Sequence, residues 1–280
     1  RMASEPYVVE LEKDHLLCHI RIDRWDEHGC FTLYQCESFD CGRTWTTPYQ
    51  VFGKDEGAPS FLYKHSSGKL ICSYSYRFEP YGIRVMVSDD GGKTWSAPED
   101  IAESIYSQFD ASSYGPVRSM FVASGRIMQS RMTKIGSYYR LYCAVLVRDR
   151  SAKHMNYVLY SDDFGGSWKV LGNINTPAVY NTADEPKVEE MPDGTLLLSS
   201  RYNNGRYYNM FTFSDVASGT GVWDDSVFSG ASNNGVEAKE NSTNGEVMVL
   251  PVTRVEDGKP MHILLQSLPL GPDRKNVGIY

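Results

Sequence analysis

"SDDGGKTW" occupies residues 88–95. Adjacent aspartates, paired glycines, a lysine and a threonine could make a metal loop, a phosphate cradle or a tight turn. The rest of the chain decides between them. "SFDCGRTW" at 38–45 and "SDDFGGSW" at 161–168 repeat the stretch, and "SDVASGTGVW" at 214–223 is a degenerate copy with an insertion. The shared pattern is Ser-x-Asp-x-Gly-x-Thr/Ser-Trp, and four of the five tryptophans close a copy. Successive copies start 50, 73 and 53 residues apart, a period of the size found in propellers and repeat arrays.

A second feature precedes each copy. It is a turn between apolar, alternating runs: "EKDHLLCHIR" (12–21), "SSGKLICSYSY" (66–76), "ASGRIMQSRM" (123–132) and "PDGTLLLSSR" (192–201). Glycine, or Asp14 in the first unit, supplies the positive φ of a tight hairpin. Each unit then reads as four strands, A to D, with the Gly turn joining A to B and the Ser-x-Asp turn joining C to D. Runs such as "YVVEL", "RLYCAVLV" and "GEVMVL" carry the β-branched and aromatic residues of strands, and no segment shows a long helical period. Four-stranded units repeated radially make a β-propeller. The expected fold is all-β, one domain over 1–280, with blades at about 1–52, 53–105, 106–175, 176–230 and an incomplete 231–280.

The opening stretch therefore has a structural task. Glycine turns the chain, the Asp carboxylate accepts hydrogen bonds from turn N–H groups, and the Trp packs back between neighbouring sheets. A calcium loop would need acidic ligands at other spacings. A phosphate loop would need a helix after Lys93, where a strand is expected.

Composition narrows the function classes. A formal charge of −7 opposes nucleic-acid binding, which needs a basic surface. No apolar run approaches the roughly 20 residues of a membrane-spanning helix. The chain opens on "RMASEPYVVE", which alternates like a strand and not like a signal peptide. The compartment stays open: secreted or periplasmic if a leader was removed, cytoplasmic otherwise. The six cysteines fall mostly inside strand-like runs without a CxxC pair and read as buried thiols. No metal site or cofactor is expected, and the scattered histidines read as structural or surface residues and not as ligands.

Blade geometry sorts the polar residues. The A–B and C–D turns lie on one face, and the A starts, B ends and B–C loops lie on the other. In "DEPKVEEMPDGTLLLSSR" (184–201), reflection about Asp193–Gly194 sets Glu185 opposite Arg201 at the end away from the turn. The pair is either a plain cross-strand ion pair or part of a site. Arg274 falls in a B–C loop of the fifth unit, and the loop in "RIDRWDEHGCF" (21–31) carries Asp26 and Asp23. Reflection about Ser124–Gly125 sets Arg118 beside Arg131 on the same face, where Arg77 also falls. Arginines gathered at one mouth of an acidic protein suggest an anion-seeking pocket.

The repeated turns resemble the Asp-boxes of the sialidase (neuraminidase) superfamily, and the chain is similar to bacterial exo-α-sialidases of glycoside hydrolase family 33. That resemblance implies a six-bladed propeller, about five blades of which lie in this chain. It implies that Glu185 activates a tyrosine nucleophile and that Arg201 and Arg274 belong to an arginine clamp for the substrate carboxylate. Asp26 would be the acid/base, with Asp23 as the alternative. The third clamp arginine stays open: Arg1, Arg21 or none, since Glu5 and Arg21 copy the Glu185–Arg201 spacing. The family's nucleophilic tyrosine belongs to a sixth blade, and no tyrosine here is matched to it. The implied partner is a sialylated or other acidic glycan. A hydrolase of another acidic sugar and a non-catalytic glycan-binding propeller remain open beside the sialidase.

Overall fold

The computed structural model describes the chain except residues 1, 25–29, 52–59, 66, 77–80, 123–125, 182, 203–204, 230–244, 270–276 and 280. The chain divides into two compact units, Arg1–Glu103 and Ser104–Tyr280. In the first, β1 (Met2–Glu12), β2 (His15–Arg24), β3 (Cys30–Ser38) and β4 (Tyr49–Gln50) form an antiparallel sheet in chain order. A second sheet follows the same order: β5 (Ser60–Lys64), β6 (Leu70–Tyr76), β7 (Gly82–Ser88) and β8 (Glu99–Asp100). A four-residue helix, α1 (Glu103–Tyr106), continues into a short 3₁₀ turn.

The second unit holds three sheets. One is built on β9 (Val117–Val122), β10 (Met128–Ile135), β11 (Tyr138–Asp149), β12 (His154–Ser161), β13 (Lys169–Val170) and β14 (Val179–Tyr180). The next contains β15 (Asp184–Glu190), β16 (Leu196–Tyr202), β17 (Gly205–Asp215), β18 (Thr220–Trp223) and β19 (Val227–Ser229). The last contains β20 (Val247–Thr253), β21 (Pro260–Pro269) and β22 (Val277–Ile279). The all-β, antiparallel blades expected from the repeat are present. The described residues form five of them, the number expected in this chain.

The cores lie between facing sheets. Leu17 and Leu33 of the first sheet pack with Leu62, Leu70, Cys72, Tyr74 and Met86 of the second. In the other unit Tyr142, Ala144 and Val158 pack with Val188, Leu196, Leu198 and Phe211. The opposite face of β11 and β12, through Val145, Val147, Met155 and Tyr157, packs on Ile105 and Phe109. Covered on both faces, these two strands are apolar almost continuously and do not alternate.

The repeated turns are nearly identical in detail. Ser88 Oγ donates to Asp90 Oδ1 at 2.9 Å and accepts from Gly92 N at 2.8 Å. Asp90 also accepts from Thr94 N at 2.9 Å and from the Thr94 hydroxyl at 2.6 Å. Ser38, Asp40, Gly42 and Thr44 repeat this set, as do Ser161, Asp163, Gly165 and Ser167. Two successive residues take positive φ, and Cys41 and Phe164 do so where the second copy has Gly91. Glycine is required at the next position: Gly92 has φ +88°, and a Cβ there would lie 2.9 Å from Leu17 Cδ2.

Three expectations need correction. Trp95, Trp168 and Trp223 pack into sheet interfaces. Trp45 instead stays 40% exposed, its ring folded over its own turn with Nε1 donating to Gly42 O at 3.1 Å. Cys41 is exposed because it stands in the first turn, whereas Cys18, Cys36, Cys72 and Cys143 are buried in strands. The third hairpin does not turn at Ser124–Gly125. β9 and β10 do not pair with each other. Both lie along one edge of β11, with Val122 opposite Val145 and Met128 opposite Tyr142. Six steps of chain face three on β11, so the surplus interrupts a single long A strand. The A–B turn is at Gly136, with φ +59°. Arg118 therefore does not stand beside Arg131.

Candidate active site

The hairpin β15–β16 turns at Asp193–Gly194, where Asp193 Oδ1 accepts from Thr195 N at 3.0 Å and from its hydroxyl at 2.6 Å. From there the ladder runs regularly to Pro186 opposite Ser200, and then to Asp184 opposite Arg201. Glu185 is the extra residue of a β-bulge. Bulges re-aim side chains and favour sheet ends, and Pro186, which has no N–H to give a ladder, suits the interruption. From the bulge Glu185 Oε2 meets Arg201 Nη1 at 2.6 Å, with the two side chains 20% and 19% exposed. Asn156 Nδ2 at the start of β12 holds Asp184 O at 3.0 Å. The pair thus sits at the strand ends opposite the Ser-x-Asp turns, where the sequence placed it.

Behind the pair lies a buried polar layer. Arg206 on β17 stands opposite Arg201 and is fully enclosed. Its Nε donates to Ser199 Oγ at 2.6 Å and its Nη2 to Ser199 O at 2.9 Å. Burial first, and the like charge of Arg201 after it, bring the Arg206 guanidinium down to about 10 against the pull of Tyr208 and Glu185. Lys187, Ser199 and Tyr208 are in register across β15, β16 and β17. Burial lowers the Lys187 ammonium to about 8 against the pull of Glu246 and Glu185. Ser199 Oγ donates to Gln266 Oε1 at 2.8 Å, and Gln266 Nε2 donates to Glu246 O at 2.8 Å. A small cleft lined in part by Arg126, Pro186, Lys187 and Glu246 adjoins this layer.

The other expected residues fall as follows. Arg118 is exposed near the start of β9, beside the β11 end at Arg148–Asp149, so it shares the strand-end level of Glu185 within its unit. Arg131 belongs elsewhere: Glu189, 2% exposed, receives Arg131 Nη2 at 2.6 Å and also Arg126. Arg21, in the first unit, lies opposite Ser4 and pairs with Glu5 at 2.6 Å. Asp26, Arg274, Arg1 and Arg77 lie outside the described residues, and nothing is described of the Asp23 side chain.

Sequence reading missed Arg206, Lys187 and Glu246. One signal was present. "RYNNGR" puts Asn-Asn-Gly between two arginines, residues that favour a tight hairpin, and Arg201 stands opposite Arg206. Nothing comparable announces Lys187 or Glu246, which approach from different strands. Among the described residues no three His, Cys, Asp or Glu side chains group so as to hold a metal ion, and no helix is long and apolar enough to cross a membrane.

The BNR/Asp-box repeat family matches residues 86–97. No curated protein matches the sequence. Among solved structures, the Hadza microbial sialidase Hz136 is similar over 99% of this chain and 55% of its own, at 20% identity and a TM-score of 0.64. A mutant of Trypanosoma rangeli sialidase displaying trans-sialidase activity is similar over 98% of this chain and 45% of its own, at 17% identity and a TM-score of 0.61. The intramolecular trans-sialidase from Ruminococcus gnavus covers 99% and 79%, at 15% identity and a TM-score of 0.58. The chain spans about half the length of the first two. These likenesses establish the fold as a sialidase-like β-propeller.

Proposed function

We propose that this chain carries out sialidase-type glycoside hydrolysis, releasing terminal sialic acid from glycoconjugates. The observation that carries the reading is the bulged Glu185 held 2.6 Å from Arg201, at the strand ends opposite the Ser-x-Asp turns. The sialidase-like fold supports it.

The chemistry explains why those groups would be used. Sialic acid bears a carboxylate on its anomeric carbon. Arginine forks bind a carboxylate bidentately and remain charged. Arg201 gives one of its five donors to Glu185, and a guanidinium presents the rest in a fixed fork. Arg274, Arg21 and Arg118 are the further candidates for the clamp. A carboxylate nucleophile would be repelled by the substrate's own carboxylate, and sialidases use tyrosine instead. In this reading Glu185 draws the phenolic proton, and Asp26 protonates the leaving oxygen and later activates water.

Release of sialic acid from an aryl sialoside tests the assignment. Glu185→Gln is expected to lower turnover by about 10²–10⁴-fold, the usual worth of a positioned acid or base. Unchanged turnover in that variant overturns the role of Glu185. Sialoside binding without turnover by the unaltered protein, lost in Arg201→Ala, would identify a non-catalytic glycan-binding propeller. Faster release of a different acidic sugar would reassign the substrate.

A further inference from the structure

Cys18 on β2 stands directly opposite Cys36 on β3 in the antiparallel register. Directly opposed residues have Cα atoms about 4.5 or 5.5 Å apart, depending on their place in the ladder. Both spacings fall within the roughly 4.4–6.8 Å spanned by disulfides. Opposed residues also project from the same side of the sheet. Both thiols are free, Cys18 Sγ donates to His19 O at 3.6 Å, and they are 4% and 2% exposed. The other buried cysteines lack this arrangement. Cys72 lies between Leu62 and Met86, and Cys143 lies opposite Leu159.

We propose that Cys18 and Cys36 are a redox-modification site that closes to a cross-strand disulfide on exposure to a low-molecular-weight disulfide. One cysteine loses its proton, and its sulfur attacks a sulfur of the external disulfide. A mixed disulfide forms and the first external thiol leaves with a proton. The second cysteine then attacks the protein sulfur of the mixed disulfide. The Cys18–Cys36 bond forms and the second external thiol leaves, likewise protonated. The protein pair is oxidised by two electrons and the external disulfide is reduced to two thiols.

Burial sets the rate. It pushes the Cys18 thiol up to about 12 and raises Cys36 as well, so little thiolate exists at neutral pH and local opening of the strands precedes attack. Val8, opposite Cys18 on β1, is 44% exposed.

The full chain is equilibrated in a glutathione redox series, quenched with an alkylating reagent and mapped by peptide mass spectrometry. A linked Cys18–Cys36 peptide is expected, with a single midpoint, while Cys72 and Cys143 stay unlinked. Oxidised protein is expected to unfold at a higher urea concentration than reduced protein, and Cys36→Ser is expected to lose both the linked peptide and that shift. The unaltered protein decides by itself if the variant does not fold. Cys18 and Cys36 both remaining alkylatable at the oxidising end of the series overturns the proposal, as does linkage of either to a different cysteine.

Discussion

Glu185 reaches Arg201 out of a bulge, carboxylate to guanidinium at 2.6 Å, and Glu5 stands in the same relation to Arg21 at the same distance. In both cases the residue before the glutamate is the arginine's register partner: Asp184 with Arg201, and Ser4 with Arg21. Sixteen residues separate the members of each pair. Among the described residues each compact unit therefore carries such a bulged Glu–Arg clasp. The clasp in the second unit is the more enclosed on the carboxylate side, with Glu185 20% exposed against 43% for Glu5.

The fork of Arg201 makes a graded prediction. Its hydrogen bonds to a charged partner should be worth about 1.5–3 kcal/mol, or roughly ten- to a hundred-fold in affinity. Arg201→Ala is expected to raise KM for an aryl sialoside by that factor. Arg201→Lys should recover only part, because an ammonium keeps the charge and loses the bidentate geometry. Equal KM in all three proteins would remove Arg201 from the substrate clamp.

The turns should set the acid limb of stability. The Thr94 hydroxyl first, then Thr94 N, bring the Asp90 carboxyl from 3.8 to about 2. The Ser167 hydroxyl leads the same lowering of Asp163. Their folded values lie below their unfolded ones, so the stability they contribute is present above pH 3.8 and is lost as pH falls toward about 2. Urea midpoints measured down the pH scale should fall across that window. In Asp163→Asn the midpoint should start lower and fall less steeply there, and an unaltered slope would contradict the account.

At Lys187 the charged form is disfavoured instead of favoured, and the pH slope keeps the same sign. Burial leads its lowering from 10.5 to about 8 in the folded chain. Between those values the unfolded chain binds more protons, so stability rises with pH. Below about 8 the full cost of a buried ammonium persists. Unfolding free energies of the unaltered protein and Lys187→Met should therefore converge or cross as pH rises from 8 to about 10. Parallel curves would show that Lys187 titrates normally.

Arg140 is fully enclosed and grips Asp162 with Nε and Nη2 at 2.7 and 2.8 Å. It also caps two carbonyls of the degenerate fourth turn, Val216 O at 2.6 Å and Ala217 O at 2.9 Å. Arg140→Ala strands a carboxylate and two carbonyls together, at a cost of about 3–5 kcal/mol. Denaturant unfolding measures it directly. A loss below about 1 kcal/mol would mean that water replaces the guanidinium, as at an exposed pair.

The legible part of the fold was the part written in local chemistry. Ser-x-Asp-x-Gly turns close on themselves within eight residues, so Ser88, Asp90, Gly92 and Thr94 announce their geometry wherever they occur. The same holds for the hairpin at Asp193–Gly194, whose reflection put Glu185 against Arg201 correctly. The third hairpin was illegible because two glycines, Gly125 and Gly136, compete in the sequence for one role. Only the pairing of β9 and β10 with the single long β11 selects between them, and that pairing is non-local.

The sequence by itself determined the repeated four-stranded unit, the end of each strand that carries turns, and the acid–base pair at the opposite end. These follow from period-two alternation and from turn residues a few positions apart. Tertiary structure decided which side chains lie behind that pair. Glu246 meets Lys187 and Arg206 there because it comes from the next sheet, which packs on β15. It also decided that Arg131 serves Glu189 and not Arg118, since an ion pair forms where the packed sheets leave the charges together.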